Sequence, residues 1–316
     1  MWLIKSDEET NPDYGKSPKD RTIEELIQSS VVLLDKNSGP TSHQVSAWAR
    51  DIFNLKLAGH SGTLDPAVTG VLPVALDNAT KSMPVLTGLD KEYVGVMQLH
   101  KPVPEGLLRK IIQDKFLGKI IQLPPKKSAV ARREREREIK FFDILEMNGQ
   151  EVLFKVGCEA GTYIRKLCHD IGKALGVGAH MAELRRTRVG NFTEEQTHSL
   201  VELRDSYEIW KETGDDEKLR KILIPVEYAI NHVKKVFVKD SAVENICNGA
   251  PLYPNGITRI QKEIIAGELI AVMTSKEELI ALGICKMDSD EMLKRKTGIS
   301  VRTDRVLMKR GVYPKL

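Results

Sequence analysis

The segment GHSGTLDPAVTG, residues 59–70, sets a single carboxylate among small residues and places a proline directly after it. Glycines let a backbone approach a substrate closely or adopt positive φ, and a proline restricts the residue before it to extended geometry. Thr63 can bond neighbouring backbone and fix the loop. The pattern describes Asp65 as a carboxylate presented on a rigid loop, as catalytic groups often are. The same dipeptide also serves as an ordinary turn, so the segment alone leaves both uses open. No second carboxylate lies close in sequence to form a glycosidase-like pair. The chain also has no G-x-x-x-x-G-K-[ST], G-x-G-x-x-G or G-x-S-x-G, so nucleotide, dinucleotide and serine-hydrolase readings have no motif behind them.

The elements that must position Asp65 alternate between strand and helix patterns. TIEELIQSS runs into the apolar strand VVLL, and DKNSGPTSH reads as a turn. QVSAWARDIFN reads as a helix entered by Thr41 or Ser42 as N-cap. VLPVAL is a short buried strand, and KEYVGVMQL (91–99) alternates apolar and polar positions as a half-buried strand does. PEGLLRKIIQDKFLG is an amphipathic helix ended by Gly118. EVLFKVGCEAG returns to strand, and TYIRKLCHDIGKALG is a helix stopped by Gly176. In ARREREREIK (131–140) arginines alternate with glutamates, which on a strand puts them on opposite faces and predicts an exposed hairpin. Residues 199–232 form a charged helical connector bending at KETGDDEK. Beyond it KVFVKD, GAPLYPNGI, ELIAVMT, ELIALGICKM and RVLMKRGVYP predict short strands and a small β-barrel, with a domain boundary near residue 232. The fold class is α+β.

With 41% hydrophobic and 29% charged residues the chain suits a folded globular protein, not a disordered one. Its longest run without Lys, Arg, Asp or Glu covers only residues 245–258 and is rich in Gly, Pro and Asn, too short and polar for a membrane span. MWLIKSDEET lacks the apolar core of a signal peptide, so a cytoplasmic location is expected. Cys158, Cys168, Cys247 and Cys285 form no C-x-x-C pair and no two histidines stand at i, i+4, which argues against zinc and for buried thiols. Net charge is +4, but residues 233–316 carry 15 basic against 10 acidic residues while the remainder is nearly balanced. A basic final module suits an anionic partner. Its basic residues concentrate at Lys294, Arg295, Lys296, Arg302, Arg305, Lys309 and Arg310, with Asp304 the one acid between.

AGHSGTLDPAVTGVLPVALDNATK (58–81) resembles the catalytic signature of the TruB-type pseudouridine synthases, whose aspartate falls on Asp65. DKNSGPTSHQV, KEYV, GTYIRKLCHDIG and GAHMAELRRTRVG follow in the family's order, and IAGELIAVMTSKEELIALGI with VLMKRGVYPK resembles a PUA domain, an RNA-binding barrel. PPKKSAV, CEAGTYIRKLC and GAHMAELRRTR are similar to the dyskerin branch in its compact archaeal form. The resemblance implies an N-terminal extension (1–20) packed on the PUA barrel, a catalytic domain with a central mixed or antiparallel sheet (21–232), and a PUA domain (233–316). It implies that Asp65 attacks or deprotonates the nucleoside, that uracil leaves its C1′–N1 bond and rejoins through C5, and that the C5 proton is then lost. An aspartate of ordinary pKa, about 3.9, is ionised for such work at neutral pH. Arg165 would pair with Asp65 and hold it oriented. Tyr93 would stack on the flipped base and assist C5 proton removal, Leu184 would wall the pocket, and His43 would hold the extruded nucleotide. His60 either shares that task or supports the loop through a backbone hydrogen bond. No metal or cofactor is implied.

The same resemblance implies the catalytic subunit of an H/ACA ribonucleoprotein acting on rRNA. Its implied partners are a guide RNA, a small zinc-binding nucleolar-type protein, a glycine/arginine-rich-type protein and a kink-turn-binding protein on the guide. A stand-alone enzyme for the tRNA T-loop uridine and a non-catalytic RNA scaffold are the alternatives. The basic PUA residues supply salt-dependent phosphate contact, whereas reading an ACA end needs base-edge contacts or stacking. Two departures from the family pattern stand out: Asn37 replaces the usual proline, and Lys126 replaces an aliphatic residue, followed by glutamates where basic and apolar residues usually alternate. The second changes what the 126–150 hairpin can offer to substrate RNA or to a protein partner.

Overall fold

A computed structural model describes residues 1–124 and 133–315. Lys126 lies outside them. In chain order the strands are β1 (Trp2–Ile4), β2 (Ser30–Lys36), β3 (Ala58–His60), β4 (Thr69–Leu76), β5 (Lys91–Leu99), β6 (Gly118–Gln122), β7 (Arg135–Asn148), β8 (Glu151–Cys158), β9 (Ala179–Val189), β10 (Phe192–Thr193), β11 (Ile224–Pro225), β12 (Lys235–Val238), β13 (Ile257–Gln261), β14 (Leu269–Thr274), β15 (Leu279–Cys285) and β16 (Val301–Val306). The helices are α1 (Ile23–Ile27), α2 (Ser42–Ile52), α3 (Met83–Thr87), α4 (Glu105–Lys115), α5 (Ile164–Ala174), α6 (Leu200–Thr213), α7 (Glu217–Ile222), α8 (Val226–Ala229), α9 (Asp240–Cys247) and α10 (Ser289–Lys294).

One sheet runs β11-β2-β4-β9-β5-β8-β7-β6, with β3 added on β4 and β10 on β9. It is mixed, because β4 and β9 pair in parallel while the other neighbours are antiparallel. β2 and β4 read as nearly unbroken apolar runs because both their faces are covered. On one side they meet Val45, Ala49 and Phe53 of the α2 region together with Leu203 and Leu219. On the other, Val31, Leu33, Val71 and Ala75 join one cluster with Phe237, Ala271, Met273 and Leu282 of the second sheet. β5 shows the period of two expected for it, with Lys91, Tyr93, Gly95, Met97 and Leu99 turned inward. Thr41 caps α2 in a reciprocal box with Gln44, and Gly214 ends α6 at φ 77°, inside the bend expected there.

The second sheet runs β1-β13-β12-β14-β15-β16, so its edge strand comes from the N-terminal residues. It curls around Val236, Ile260, Val272 and Ile280, and a bridge between Leu252 and Val301 ties β16 to the segment before β13. Two lysines strap the N-terminal segment down. Lys5 Nζ donates to the carbonyls of Met292, Leu293 and Arg295, and Lys276 Nζ donates to those of Pro12, Tyr14 and Gly15.

Three local expectations need correction. The amphipathic helix ends at Lys115, and Gly118 (φ +76°) instead opens β6, because Phe116 already accepts the role of C-cap. GAPLYPNGI is not a strand. Pro254 starts a 3-10 turn there and β13 begins only at Ile257. The module is also not all strand, since SAVENIC folds as α9 with Val243, Ile246 and Cys247 buried. Of the 131–140 segment, the part from Arg135 does enter a hairpin, and residues 131 and 132 lie outside the described residues. That part forms β7, with Arg135 and Arg137 half-buried, Glu136 and Glu138 exposed, and the turn at Gly149.

Glu227, buried at the start of α8, pins the two sheets together. Arg21 donates to its carboxylate through two nitrogens at 2.7 and 3.0 Å, and the Leu279 N–H donates to it at 3.0 Å. Removing one partner of a buried pair strands the other charge. Glu227→Ala is therefore expected to cost about 3 kcal/mol or more, read as a lower urea midpoint with an unchanged slope.

Candidate active site

Asp65 lies in the loop between β3 and β4. Ser42, buried at the start of α2, accepts from the Leu64 N–H at 2.9 Å and donates to the Leu64 carbonyl at 3.1 Å. Lys36, 1% exposed, donates to the carbonyls of Asn37, Pro66 and Val68 at 2.9, 2.9 and 2.8 Å. The Val68 N–H closes a turn onto the Asp65 carbonyl at 3.0 Å, with Pro66 at the second turn position that its fixed φ suits. Every backbone group of 64–68 named here is thus held from below, and the Asp65 side chain is left facing out. Asn37, which stands where the family has proline, is exposed and contributes its carbonyl to Lys36.

Arg165 is the second residue of α5. Gln122, 2% exposed at the end of β6, fixes that helix start by accepting from the Tyr163 N–H at 2.9 Å and donating to its carbonyl at 3.2 Å. From there Arg165 Nη2 forms an ion pair with Asp65 Oδ2. The two side chains are 56% and 51% exposed. At that exposure an ion pair adds at most about 1 kcal/mol, so its effect is on carboxylate orientation more than on stability. Leu64 and Ile164, the residues before Asp65 and Arg165, belong to one apolar cluster with Tyr93 and Leu184. The backbone that carries Asp65 and Arg165 thus rises from the same core that holds Tyr93 and Leu184. Leu184 stands opposite Gly95 in the β5–β9 ladder, where a Cβ on Gly95 would lie 2.8 Å from Leu184 Cδ1.

His43 and His60 meet edge to face, ring centroids 4.6 Å apart, with His43 exposed. His60 supports the loop through side chains and not through backbone as expected. Nε2 faces Thr63 Oγ1 at 3.2 Å and Nδ1 faces Ser46 Oγ at 3.4 Å. Thr63 accordingly spends its hydroxyl on a ring and not on neighbouring backbone. Burial, then the charges of His43 and Arg186, push His60 down to about 4, so the ring is neutral near pH 7.

Buried cations surround the loop. Lys36 is lowered by burial, opposed by the Asp65 charge. Burial, with Arg186 adding to it, pushes Lys91 down to about 8, and its ammonium donates to the carbonyls of Thr87 and Leu89. Arg186, 1% exposed, donates to the carbonyls of Val71 at 2.7 Å and Gly62 at 2.9 Å. Among the described residues no cluster of three or more His, Cys, Asp or Glu could hold a metal. The four cysteines are buried and free.

Residues 50–164 match the description "TruB family pseudouridylate synthase (N terminal domain)" and 165–231 match "tRNA pseudouridylate synthase B C-terminal domain". Residues 1–46 match "DKCLD (NUC011) domain" and 234–307 match "PUA domain". The chain is 52% identical to the "Probable tRNA pseudouridine synthase B" of Methanopyrus kandleri over 313 residues, 99% of this chain and 92% of the relative. The chain belongs to the TruB family of pseudouridine synthases. Its fold matches a solved Cbf5–Nop10–Gar1 complex with a TM-score of 0.93 and 52% identity, covering 100% of this chain and 96% of the other. It likewise matches a chain of an H/ACA RNP bound to a substrate RNA containing 2′-deoxyuridine, at TM-score 0.91 and 50% identity, covering 100% and 96%.

The synthase also shows what motif reading missed. Lys36, Ser42, Gln122 and Arg186 hold the site from behind. Three of them sat inside quoted motifs, and a lysine closing the apolar run VVLLD was the one visible sign of a buried cation. The seven basic residues from Lys294 to Arg310 are all exposed, and they are spread along the chain's path. They run from the end of α10 along the edge strand β16, Arg295 pairs with Glu291 at 2.6 Å, and Lys309 reaches Gln28 of the first domain.

The lowered His60 gives a pH test. A folded-state value near 4 against an ordinary 6.5 means that the unfolded chain binds the proton first. The stabilisation is therefore complete above 6.5 and is lost as pH falls from 6.5 toward 4. His60→Asn is expected to flatten that fall by on the order of 1 kcal/mol, allowing for partial exposure, measured by urea unfolding at a series of pH values.

Proposed function

We propose that this synthase is the catalytic subunit of an H/ACA guide ribonucleoprotein and converts uridine to pseudouridine in rRNA. The observation that carries the reading is the full-length match to Cbf5 in its complex with Nop10 and Gar1, together with an Asp65–Arg165 pair standing at an open surface. An open site suits a macromolecular substrate, whose target base must be flipped out of its stack to be reached. Asp65 acts on the extruded nucleoside as nucleophile or base, and Arg165 aims its carboxylate. The C1′–N1 bond breaks, the C1′–C5 bond forms, N1 gains a proton and C5 loses one, so no cofactor enters the balance. Tyr93 supports the base and assists the C5 step, Leu184 closes the apolar wall, and His43 stands at the rim where the displaced nucleotide passes.

A guide RNA supplies sequence choice, and the basic residues from Lys294 to Arg310 supply phosphate contact along β16. A Nop10-type small zinc-binding protein and a Gar1-type glycine/arginine-rich protein complete the particle, with a kink-turn-binding protein on the guide. Archaeal relatives and buried free thiols support a cytoplasmic particle. A second reading, guide-free action on the tRNA T-loop, is favoured by relatives named as tRNA pseudouridine synthases. A non-catalytic scaffold would not need an oriented Asp65.

Tritium release from RNA labelled at uracil C5 tests these readings, because C5 loses its hydrogen only if the ring rejoins there. With the Nop10-type partner, guide and matched target, release is expected, and Asp65→Asn should lower it roughly a thousandfold or more. Release from tRNA without a guide would support the second reading. RNA binding without release from either substrate would overturn the role given to Asp65.

A further inference from the structure

Arg186 is an expensive residue to bury. At 1% exposure its Nε and Nη1 are bonded to the carbonyls of Val71 and Gly62, but Nη2 is buried with no hydrogen-bond partner. An unsatisfied buried donor of this kind is rare enough in native structures to need an explanation. No carboxylate lies in ion-pair contact with it among the described residues.

The sheet register supplies the explanation. In β9, Arg186 stands beside Gly70 of β4 on one side and beside Tyr93 of β5 on the other. β4 carries the end of the Asp65 loop, so one residue joins both halves of the site. The approach to β4 is close: a Cβ on Gly70, whose φ is +102°, would lie 2.1 Å from the Arg186 carbonyl oxygen. The buried phenol of Tyr93 faces the guanidinium. Burial raises Tyr93 above the ordinary tyrosine value, and the charge of Arg186 is the largest influence opposing that rise. For Arg186, burial lowers the value, and Tyr93 opposes it both by charge and by a side-chain approach near hydrogen-bonding range.

We propose that Arg186 is a positioning residue for the isomerisation: its spare Nη2 serves the Tyr93 hydroxyl oxygen, through its charge in the free protein and through a hydrogen bond once uridine fills the pocket, locking Tyr93 to the Asp65 loop. Donation to the oxygen turns the phenolic hydrogen toward the pocket and stabilises negative charge on that oxygen. The proposal rests on the role given above to Tyr93. It makes the geometry of the carboxylate and that of the phenol depend on one guanidinium.

The test uses the full-length protein with tyrosine labelled with ¹³C at the ring carbon bearing oxygen, the Tyr93 signal being identified by Tyr93→Phe. In Arg186→Gln that signal should titrate about one pH unit or more higher than in the parent. Single-turnover tritium release should fall roughly tenfold or more in Arg186→Gln, with RNA affinity within about twofold. In a Tyr93→Phe background the same substitution should cost less than about threefold, because its effect runs through the missing phenol. Arg186→Lys keeps the charge but has one donor group in place of the fork. It should lie between parent and Arg186→Gln, and it carries the test alone if Arg186→Gln does not fold. An unmoved Tyr93 titration, or losses that multiply in full, would overturn the Arg186 link and leave Tyr93 in place. Full release by Tyr93→Phe would overturn the Tyr93 assignment itself, and any part for Arg186 in the reaction with it.

Discussion

The constraint on which the site depends is the parallel contact of β4 with β9 at Thr69 and Gly70. It is short, and it is where the two halves of the large sheet join. β2, β3 and β4 bring the Asp65 loop, while β5, β8, β7 and β6 bring Tyr93 and, through Gln122, the start of α5 with Arg165. A parallel pair needs its two strands at a fixed lateral spacing of about 4.8 Å. Here glycine at position 70 permits that approach against the Arg186 backbone. Any slip at this seam would move Asp65 relative to Tyr93, because each belongs to a different half.

Cations hold the loop from beneath, and this choice has a chemical logic. A loop that must present a carboxylate outward exposes its own carbonyls inward, and buried carbonyls need donors. Lys36 and Arg186 supply several donors each, so two side chains satisfy the carbonyls of Asn37, Pro66, Val68, Gly62 and Val71. A carboxylate held this way needs no deep burial of its own. It can remain half exposed to meet a nucleotide extruded from a large RNA.

Much of this was legible in the sequence, and the remainder was hidden for identifiable reasons. The Thr41 cap, the period-two pattern of β5 and the arginine/glutamate alternation of β7 each follow from local rules, and each is where those rules put it. β9 was not legible as a strand. AHMAELRRTRV contains few β-formers and many charges, and only its place between β4 and β5 buries Arg186 and Leu184. Propensity is weak where tertiary pairing decides. α9 was hidden by a Pro- and Gly-rich surrounding that suggested turns, and the β1 edge strand by its distance of more than 250 residues from its partner β13. The Asp65–Arg165 pair, 100 residues apart, was reachable only through family resemblance, since nothing local links the two segments.

The second module is attached as an extension of the core, not as a tethered domain. Val31, Val71 and Ala75 of the first sheet share an apolar cluster with Phe237, Ala271 and Leu282 of the second. Arg21, Glu227 and the Leu279 amide cross the same boundary in one buried network. Interfaces between independent domains are usually more polar and allow relative motion, whereas a continuous apolar cluster with a buried ion pair resists it. The distance from the basic edge of β16 to Asp65 is therefore fixed by packing. Under the function proposed above, an RNA held at β16 would meet the carboxylate at a set span, and a rigid stem of suitable length would deliver a base to the site without the protein reading the sequence of that stem.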